Sequence, residues 1–194
     1  MKKQTQTALS LLSLIVLIVG LDQLTKWLAV VYLQGEASFP LWRDVLHFTF
    51  HTNRGAAFGM LSEHRWVFMV FSTVTIVGLS VYLFAFRPQN RLLRISLAMV
   101  IGGGIGNMID RVLLGYVIDF IDFTLIDFAV FNVADSFVTV GSFLLMGYLI
   151  LDMIREFRAE AEQKRKKKEQ TNATPSPEAK TEEETEGETE QHEN

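Results

Sequence analysis

The chain has 194 residues and a mean hydropathy of +0.22, although 21% of its residues are charged. The charge is segregated, because residues 159–194 hold 11 acidic and 6 basic residues and account for the net charge of −4. The absence of cysteine excludes disulfides, thiolate metal sites and a cysteine nucleophile. The four histidines show no metal-ligand spacing, and acidic neighbours dilute the basic cluster at 164–168, so we expect no metal, no cofactor and no nucleic-acid partner.

Four apolar spans follow one another along the chain, at residues 8–33, 66–86, 95–118 and 128–151. A bilayer core about 30 Å thick needs about 20 helical residues. The span at 66–86 has 21 uncharged residues and meets this requirement outright. The other three meet it if their few ionisable side chains lie at an end or face the interior of a helix bundle. The pattern predicts four transmembrane helices.

The first span follows Lys2 and Lys3, as the apolar region of a secretory signal peptide does. No small-residue cleavage pattern comes after it, so we interpret it as a retained helix.

The distribution of basic residues predicts the orientation in the membrane. Basic residues precede the first span, separate the second from the third and follow the fourth (Lys2, Lys3, Arg87, Arg91, Arg94 and the basic residues of 155–168). In a four-span topology these regions lie on one side, which is therefore expected to be cytoplasmic and to hold both termini. Trp27, Trp42 and Trp66 fall at or beside the opposite face, as an interfacial aromatic belt does.

Residues 34–64, between the first two spans, are long for a connector. Leu46, Phe48 and Phe50 alternate with polar residues, which is a strand pattern. Two interpretations stay open: a hairpin that only covers the helix ends, or a small extracytoplasmic β-cradle over a site at the membrane surface.

Residues 159–194 are rich in Glu, Lys, Thr and Pro and contain no aromatic residue. Such a composition cannot bury enough apolar surface to fold alone. We therefore expect a transmembrane domain at 1–158 and a charged, disordered cytoplasmic tail at 159–194.

Ionisable groups at membrane depth are candidates for function, because placing a charge in hydrocarbon is expensive. Asp22 and Lys26 are spaced four apart on one helix, and we interpret them as a structural pair that neutralises itself. Asp110 and Arg111 are sequence neighbours that do not face each other, so each needs another partner.

Asp119 and Asp135 lie near the outer ends of the third and fourth spans, where a short loop can bring them together. Two carboxylates that share a site of low dielectric hold a single proton between them, as in aspartic proteases. Asp122 and Asp127 lie between them and can replace either on charge alone, and four aspartates can also form a merely solvated loop.

Small and amide residues complete the pattern. Gly102 and Gly106 are four apart, which allows close helix contact. Asn53, Asn107 and Asn132 are expected near the outer face, where their amides can bind a peptide backbone or cap helices.

Five motifs appear in order on the four spans: DQLTK at 22–26, NRGAAFG at 53–59, GGGIGNMIDR at 102–111, VIDF at 117–120 and FNVADS at 131–136. In these motifs, over residues 10–150, the chain resembles the lipoprotein signal peptidases of bacteria, the signal peptidase II family.

The resemblance implies an all-α membrane protein with four transmembrane helices and an outer β-cradle. It implies an aspartic endopeptidase of the cytoplasmic membrane that cleaves prolipoproteins before a diacylglyceryl-modified cysteine at the outer face. The catalytic pair implied is Asp119 and Asp135, rather than Asp122 or Asp127. The supporting residues implied are Asn53, Gly103, Asn107, Arg111, Asn132 and Asp22. Membrane lipid is an expected partner, and we expect a monomer.

Four apolar spans with acids near one face are also compatible with two other classes of protein. A proton-coupled carrier would use Asp22, Asp119 and Asp135 as a relay, but the halves show no internal repeat and the acids cluster at one face. A non-catalytic four-span scaffold would tolerate single Asp→Asn changes.

Overall fold

The computed structural model describes residues 2–55 and 65–173. In chain order its elements are α1 (Lys2–Leu33), β1 (Phe39–Trp42), β2 (Leu46–Asn53), α2 (Arg65–Val81), α3 (Arg91–Leu113), β3 (Val117–Asp122) and α4 (Val133–Ala173). A π-helical turn, Tyr82–Phe86, extends α2, and a short 3-10 helix, Thr124–Ile126, lies between β3 and α4.

The four helices are long and apolar enough to cross a membrane, in the segments Gln4–Leu33, Met69–Phe86, Arg91–Leu113 and Val133–Lys166. Large apolar side chains stand on the bundle surface, such as Phe71 at 70% and Phe143 at 75% exposure. An apolar surface of this kind is unfavourable in water but is stable in contact with lipid chains. The predicted fold class, four membrane helices with a small sheet, is confirmed.

Helix α3 packs against the other three helices at three successive glycines, one helix at each. A Cβ on Gly102 would lie 3.0 Å from Ile18 of α1, and one on Gly104 would lie 3.1 Å from Ile76 of α2. A Cβ on Gly103 would overlap the carbonyl oxygen of Ala134 in α4. Because successive helix positions point about 100° apart, each glycine admits a different helix. The close packing predicted at Gly102 and Gly106 is confirmed, since a Cβ on Gly106 would lie 2.5 Å from Asp22 Oδ2 of α1.

The sheet is antiparallel, in the order β1-β2-β3. The strand predicted from Leu46, Phe48 and Phe50 is β2, and the ring of Phe48 lies 6.2 Å from that of Phe120 on β3. The apolar cluster formed by Ala29, Ile118 and Phe120 packs this sheet onto the end of α1.

The sheet is larger than the hairpin predicted between the first two spans. Its third strand, Val117–Asp122, lies between α3 and α4, where the sequence predicts the end of a helix and a loop. Helix α3 ends at Leu113, and Gly115 has a φ of 81°, which favours glycine and turns the chain back. The sequence VIDFID alternates apolar and acidic residues only in part, and it directly continues the apolar run of α3, so the sequence does not predict a separate strand there.

The chain divides into two compact units, Met1–Tyr148 and Leu149–Asn194. Within the second unit α4 continues to Ala173, so residues 159–173 are helical where disorder is predicted. Ala, Glu, Gln, Lys and Arg are strong helix formers, and the exposed pairs Glu162–Lys166 and Arg165–Glu169 connect successive turns. Residues 174–194 of the predicted tail lie outside the described residues, as do residues 56–59 of the NRGAAFG motif. A domain boundary at 158 stays a prediction.

Candidate active site

The two predicted catalytic aspartates are carried by neighbouring elements at the end of the bundle that bears the sheet. Asp119 lies on β3, opposite His51 of β2, and its side chain is 1% exposed. Asp135 lies in the first turn of α4 and is half-buried. A strand and a helix start therefore present the two carboxyls, rather than a folded-back loop.

Asn132 joins the two aspartates. Its Nδ2 donates to Asp119 Oδ1 at 2.7 Å, and its Oδ1 accepts from the backbone N–H of Asp135 at 2.9 Å. In return Asp135 Oδ2 accepts from the backbone N–H of Asn132 at 3.3 Å. This reciprocal pattern is a capping box at the start of α4. The helix cap thus orients one aspartate while its amide holds the other, and Asn132 is fully buried between them.

Asn107 of α3 provides the second amide. Its Nδ2 donates to Asp135 Oδ1 at 2.7 Å, and its Oδ1 accepts from Asn132 Nδ2 at 3.0 Å. The carboxylate of Asp135 is therefore bound at both oxygens.

Asn53 ends β2 and provides the third amide. Its Nδ2 donates to Asp119 Oδ2 at 3.1 Å, while its Oδ1 accepts from the backbone N–H of Gly55 at 3.0 Å. Each of the three predicted asparagines thus contacts a carboxyl of the pair, and Asp119, like Asp135, has both oxygens bound.

A buried ion cluster lies behind the amides. Lys26 Nζ lies 2.8 Å from Asp22 Oδ2 and 3.0 Å from Asp110 Oδ2, and it donates to Asn107 Oδ1 at 2.9 Å. The structure confirms the predicted pair of Asp22 and Lys26, but the pair is not isolated. Lys26 also contacts Asp110 of α3 and the amide of Asn107, which binds Asp135.

The two acids of this cluster fasten the site elements to the bundle. Asp22 Oδ1 accepts from the backbone N–H of Ala134 at 2.9 Å, at the start of α4. Asp110 Oδ2 accepts from the backbone N–H of Ile118 at 3.1 Å, on β3. Gln23 donates to both carboxylates, at 3.2 and 3.0 Å. Each carboxyl of the pair is therefore positioned by a neighbouring backbone amide that a buried acid holds.

Sequence reasoning missed Lys26, Asp110 and Gln23 as parts of the site. The sequence did indicate that Lys26 and Asp110 need partners, because both lie at membrane depth, where an unpaired charge is costly. The sequence alone does not identify the partner, because Asp110 is 84 positions from Lys26.

Two of the predicted supporting residues contact the site differently from the asparagines. Gly103 is a packing position, because any side chain there would meet the start of α4. Arg111 lies beside the pair, and its Nη1 reaches the carbonyl oxygen of Asn107 at 3.5 Å.

Asp122 and Asp127, the alternatives for the pair, are held elsewhere. Asp122 accepts from Thr49 Oγ1 at 2.9 Å, at the far end of β3. Asp127 is exposed in a turn, with a φ of 47°. Among the aspartates that the structure describes, only Asp119 and Asp135 accept hydrogen bonds from the side-chain amides of Asn53, Asn107 and Asn132.

Asp119 and Asp135 face a groove with a volume of about 1210 Å³. Its lining includes Arg54 and Arg111 and an apolar segment from Phe128 to Phe131 with Val140. The groove can admit an extended peptide and water to the two carboxyls.

Burial raises the pKa of Asp119 to about 7, and the nearby carboxylate of Asp135 adds to the rise. Hydrogen bonds from Asn53 and Asn132 and the charge of Lys26 act in the opposite direction. Near neutral pH this carboxyl can therefore hold a proton, which a pair that works as acid and base requires.

Within residues 2–55 and 65–173, no group of three or more histidine or acidic side chains is arranged to hold a metal ion. The chemistry that this arrangement of carboxyls can perform is proton transfer.

The family model for signal peptidase (SPase) II matches residues 14–151. A lipoprotein signal peptidase of Caldanaerobacter subterraneus is 48% identical over 138 residues, which cover 71% of this chain and 93% of that protein. One from Brevibacillus brevis is 44% identical over 136 residues, 70% of this chain and 89% of that protein.

A solved structure, described as a bacterial membrane enzyme determined by the in meso method at 2.3 Å, superposes with a TM-score of 0.70. It is 32% identical, and the match covers 74% of this chain and 89% of that one. Matches of this extent to sequence and fold show that the chain is an enzyme and belongs to the signal peptidase II family of membrane peptidases.

Proposed function

We propose that this chain is a membrane aspartic endopeptidase that removes signal peptides from prolipoproteins by cleaving before the diacylglyceryl-modified cysteine. The observation that carries the proposal is the shared contact of Asp119 and Asp135 with Asn132, at a groove that can hold a peptide. Relatives that are named lipoprotein signal peptidases support the substrate class.

In the proposed reaction, a water molecule in the groove attacks the scissile carbonyl carbon. The ionised carboxylate of the pair takes a proton from this water, and the protonated carboxyl gives its proton to the carbonyl oxygen. The resulting tetrahedral diol collapses when its C–N bond breaks. The carboxyl that took the proton from water gives it to the leaving nitrogen, and a diol hydroxyl gives its proton to the other carboxylate as the new C=O bond forms. The two carboxyls return to one shared proton, so no metal ion is consumed or required.

The position of the pair suits a substrate that is anchored in lipid. Two acyl chains bind a peptide firmly to a bilayer, and extracting them costs about 0.8 kcal/mol per CH₂. A peptidase for such a substrate needs its carboxyls at the membrane surface, where water is available. The sheet-bearing ends of the four apolar helices meet this requirement.

The proposed orientation places both termini in the cytoplasm and the pair at the outer face. Arg87, Arg91 and Arg94, between α2 and α3, support it by the positive-inside rule. The exposed Trp27, Trp42 and Trp66 support an outer interface near the sheet. We propose that the protein acts as a monomer in contact with membrane lipid, because both oxygens of each carboxyl of the pair are already bound by groups of the same chain.

Membership in a peptidase family argues against the proton-coupled carrier and the non-catalytic scaffold. Neither alternative predicts that the wild-type protein cleaves a peptide.

The first test uses purified protein in detergent micelles with a diacylglyceryl prolipoprotein peptide. Asp119→Asn and Asp135→Asn should each abolish cleavage, because an amide cannot take either proton-transfer role. Asp122→Asn and Asp127→Asn are the matched controls and should retain most activity. Near-normal turnover by either variant of the pair would overturn the aspartic mechanism.

The second test concerns the lipid. The same peptide is compared with and without diacylglycerol on its cysteine, both held in the micelle by an unrelated transmembrane anchor. The lipidated peptide should be cleaved much faster, because its chains orient the bond beside the pair as well as raising its local concentration. Equal rates would mean that the lipid is not recognised.

A further inference from the structure

Lys26 makes one contact that is not explained by a role in neutralising nearby acids. Its side chain is 2% exposed, and three acceptors surround the three protons of its ammonium group: Asp22, Asp110 and the amide oxygen of Asn107. Neutralisation accounts for the two carboxylates. The third contact joins the cation to the amide that binds Asp135.

The Asn107 amide can adopt only one orientation in this environment. Its oxygen accepts from two donors, Lys26 Nζ at 2.9 Å and Asn132 Nδ2 at 3.0 Å. A rotated amide would turn its NH₂ group toward both, and an ammonium group has no acceptor to offer. With the oxygen fixed, Nδ2 can only donate to Asp135, which it does at 2.7 Å.

We infer that Lys26 is a positioning residue of the cleavage reaction, which holds the Asn107 amide with its N–H toward Asp135 and so makes Asp135 the carboxylate that takes the proton from water. The inference rests on the proposed function and assigns the two roles within the pair. Asp119 is then the carboxyl that holds the proton in the resting enzyme.

The surroundings of the two aspartates support this assignment. Asp135 lies in the first turn of α4, where the positive end of the helix dipole favours an anion, and a backbone N–H and a fixed amide both donate to it. Asp119 lies on a strand, without a helix dipole, and is 1% exposed. Burial, which raises the pKa of Asp119 to about 7, is consistent with a proton on that carboxyl.

Other ionisable groups belong to the buried cluster or line the groove near Asp135, and the test must distinguish their effect from that of Lys26. They are Asp22 of α1, Asp110 and Arg111 of α3, Asp119 and Asp122 of β3, His51 of β2, and Arg54 and Asp127 in the connecting segments of the groove. Substituting Lys26 alone leaves all of these in place.

The experiment measures kcat and KM for the lipidated peptide against pH, for the full chain in detergent micelles. Lys26→Met keeps the length of the side chain but removes the cation that holds the Asn107 oxygen, which leaves Asn132 Nδ2 as the other donor to it. We expect kcat at neutral pH to fall about tenfold to a hundredfold, as for the loss of a hydrogen bond to a charged group. The acid limb of the profile should move up by about one pH unit, with KM within about twofold because the groove is unchanged.

Asp22→Asn is the matched control. It removes one partner of Lys26 and weakens the same buried cluster, but it leaves the bond from Lys26 to Asn107. It should lower the melting temperature, and because it removes a negative charge it should not move the acid limb to higher pH. A merely structural role for Lys26 would make the two variants alike in both measurements.

If Lys26→Met does not fold, Asn107→Leu is the second variant. Leucine is close to asparagine in shape but cannot donate to Asp135, so the acid limb should again move to higher pH without a new charge beside Asp135. An unmoved acid limb in a folded Lys26→Met, or in Asn107→Leu, overturns the inference. Failure of the proposed function has a different signature, namely no cleavage by the wild type or normal cleavage by Asp119→Asn.

Discussion

Replacing Asn132 tests whether one side chain both caps α4 and holds the catalytic pair. Asn132→Ala removes the cap that accepts from the backbone N–H of Asp135 and the amide that donates to Asp119. Loss of an N-cap costs about 1 kcal/mol, and an unpaired buried acceptor costs about 1–3 kcal/mol. The combined loss of about 2–4 kcal/mol should lower the melting temperature by on the order of 10 °C.

Asn132→Ser separates the two roles. A serine hydroxyl can still cap the helix, but it is too short to reach Asp119. The Ser variant should therefore recover about 1 kcal/mol of stability over the Ala variant, without recovering activity. Both variants should cleave the lipidated peptide about tenfold to a hundredfold more slowly than the wild type.

The assay combines thermal unfolding in detergent micelles with the initial rate of peptide cleavage. Wild-type melting temperature and rate in Asn132→Ala would refute the reasoning. Full activity in Asn132→Ser would show that the contact with Asp119 is not needed for the reaction.

Further expectations concern pH, packing, the tail and metal. Because burial raises the pKa of Asp119 to about 7, the cleavage rate should fall above that pH as the proton is lost. The contribution of Asp119 to the free energy of unfolding should fall as the pH rises from about 4, the pKa of an aspartate in the unfolded chain, to about 7. Asp119→Asn should abolish this dependence in thermal unfolding. Gly106→Ala should cost about 1–3 kcal/mol, because its Cβ would lie 2.5 Å from Asp22 Oδ2, whereas Gly147→Ala meets nothing within 4 Å and should unfold no earlier than the wild type. Truncation after residue 158 should leave specific activity in micelles unchanged, because that segment is polar. Incubation with EDTA should leave the rate unchanged, and a loss that zinc restores would contradict the mechanism.

The sequence determined the four membrane helices, because an uninterrupted apolar run of about 20 residues has few other stable environments. It also determined which residues to consider for the site. Asp119 and Asp135 were conspicuous as acids beside apolar spans, and the period-two pattern of Leu46 to Phe50 identified β2.

Only the tertiary structure decided how these residues meet. Strand β3 was hidden because its alternation continues the apolar run of α3, and the pairing of His51 with Asp119 depends on a register that no local pattern specifies. Residues 159–173 form a helix against the disorder expected from their composition, since helix propensity and i,i+4 ion pairs act without a core.

The buried cluster around Lys26 also shows that the sequence does not identify which residues contact each other. Membrane depth predicts that Lys26 and Asp110 each need a partner, but their partners are set by the packing of α1 on α3 across more than 80 positions. The direction of each hydrogen bond in the chain from Lys26 through Asn107 to Asp135 follows from three-dimensional contacts alone. Composition and spacing therefore identify the ionisable groups, whereas helix packing decides which of them share a proton.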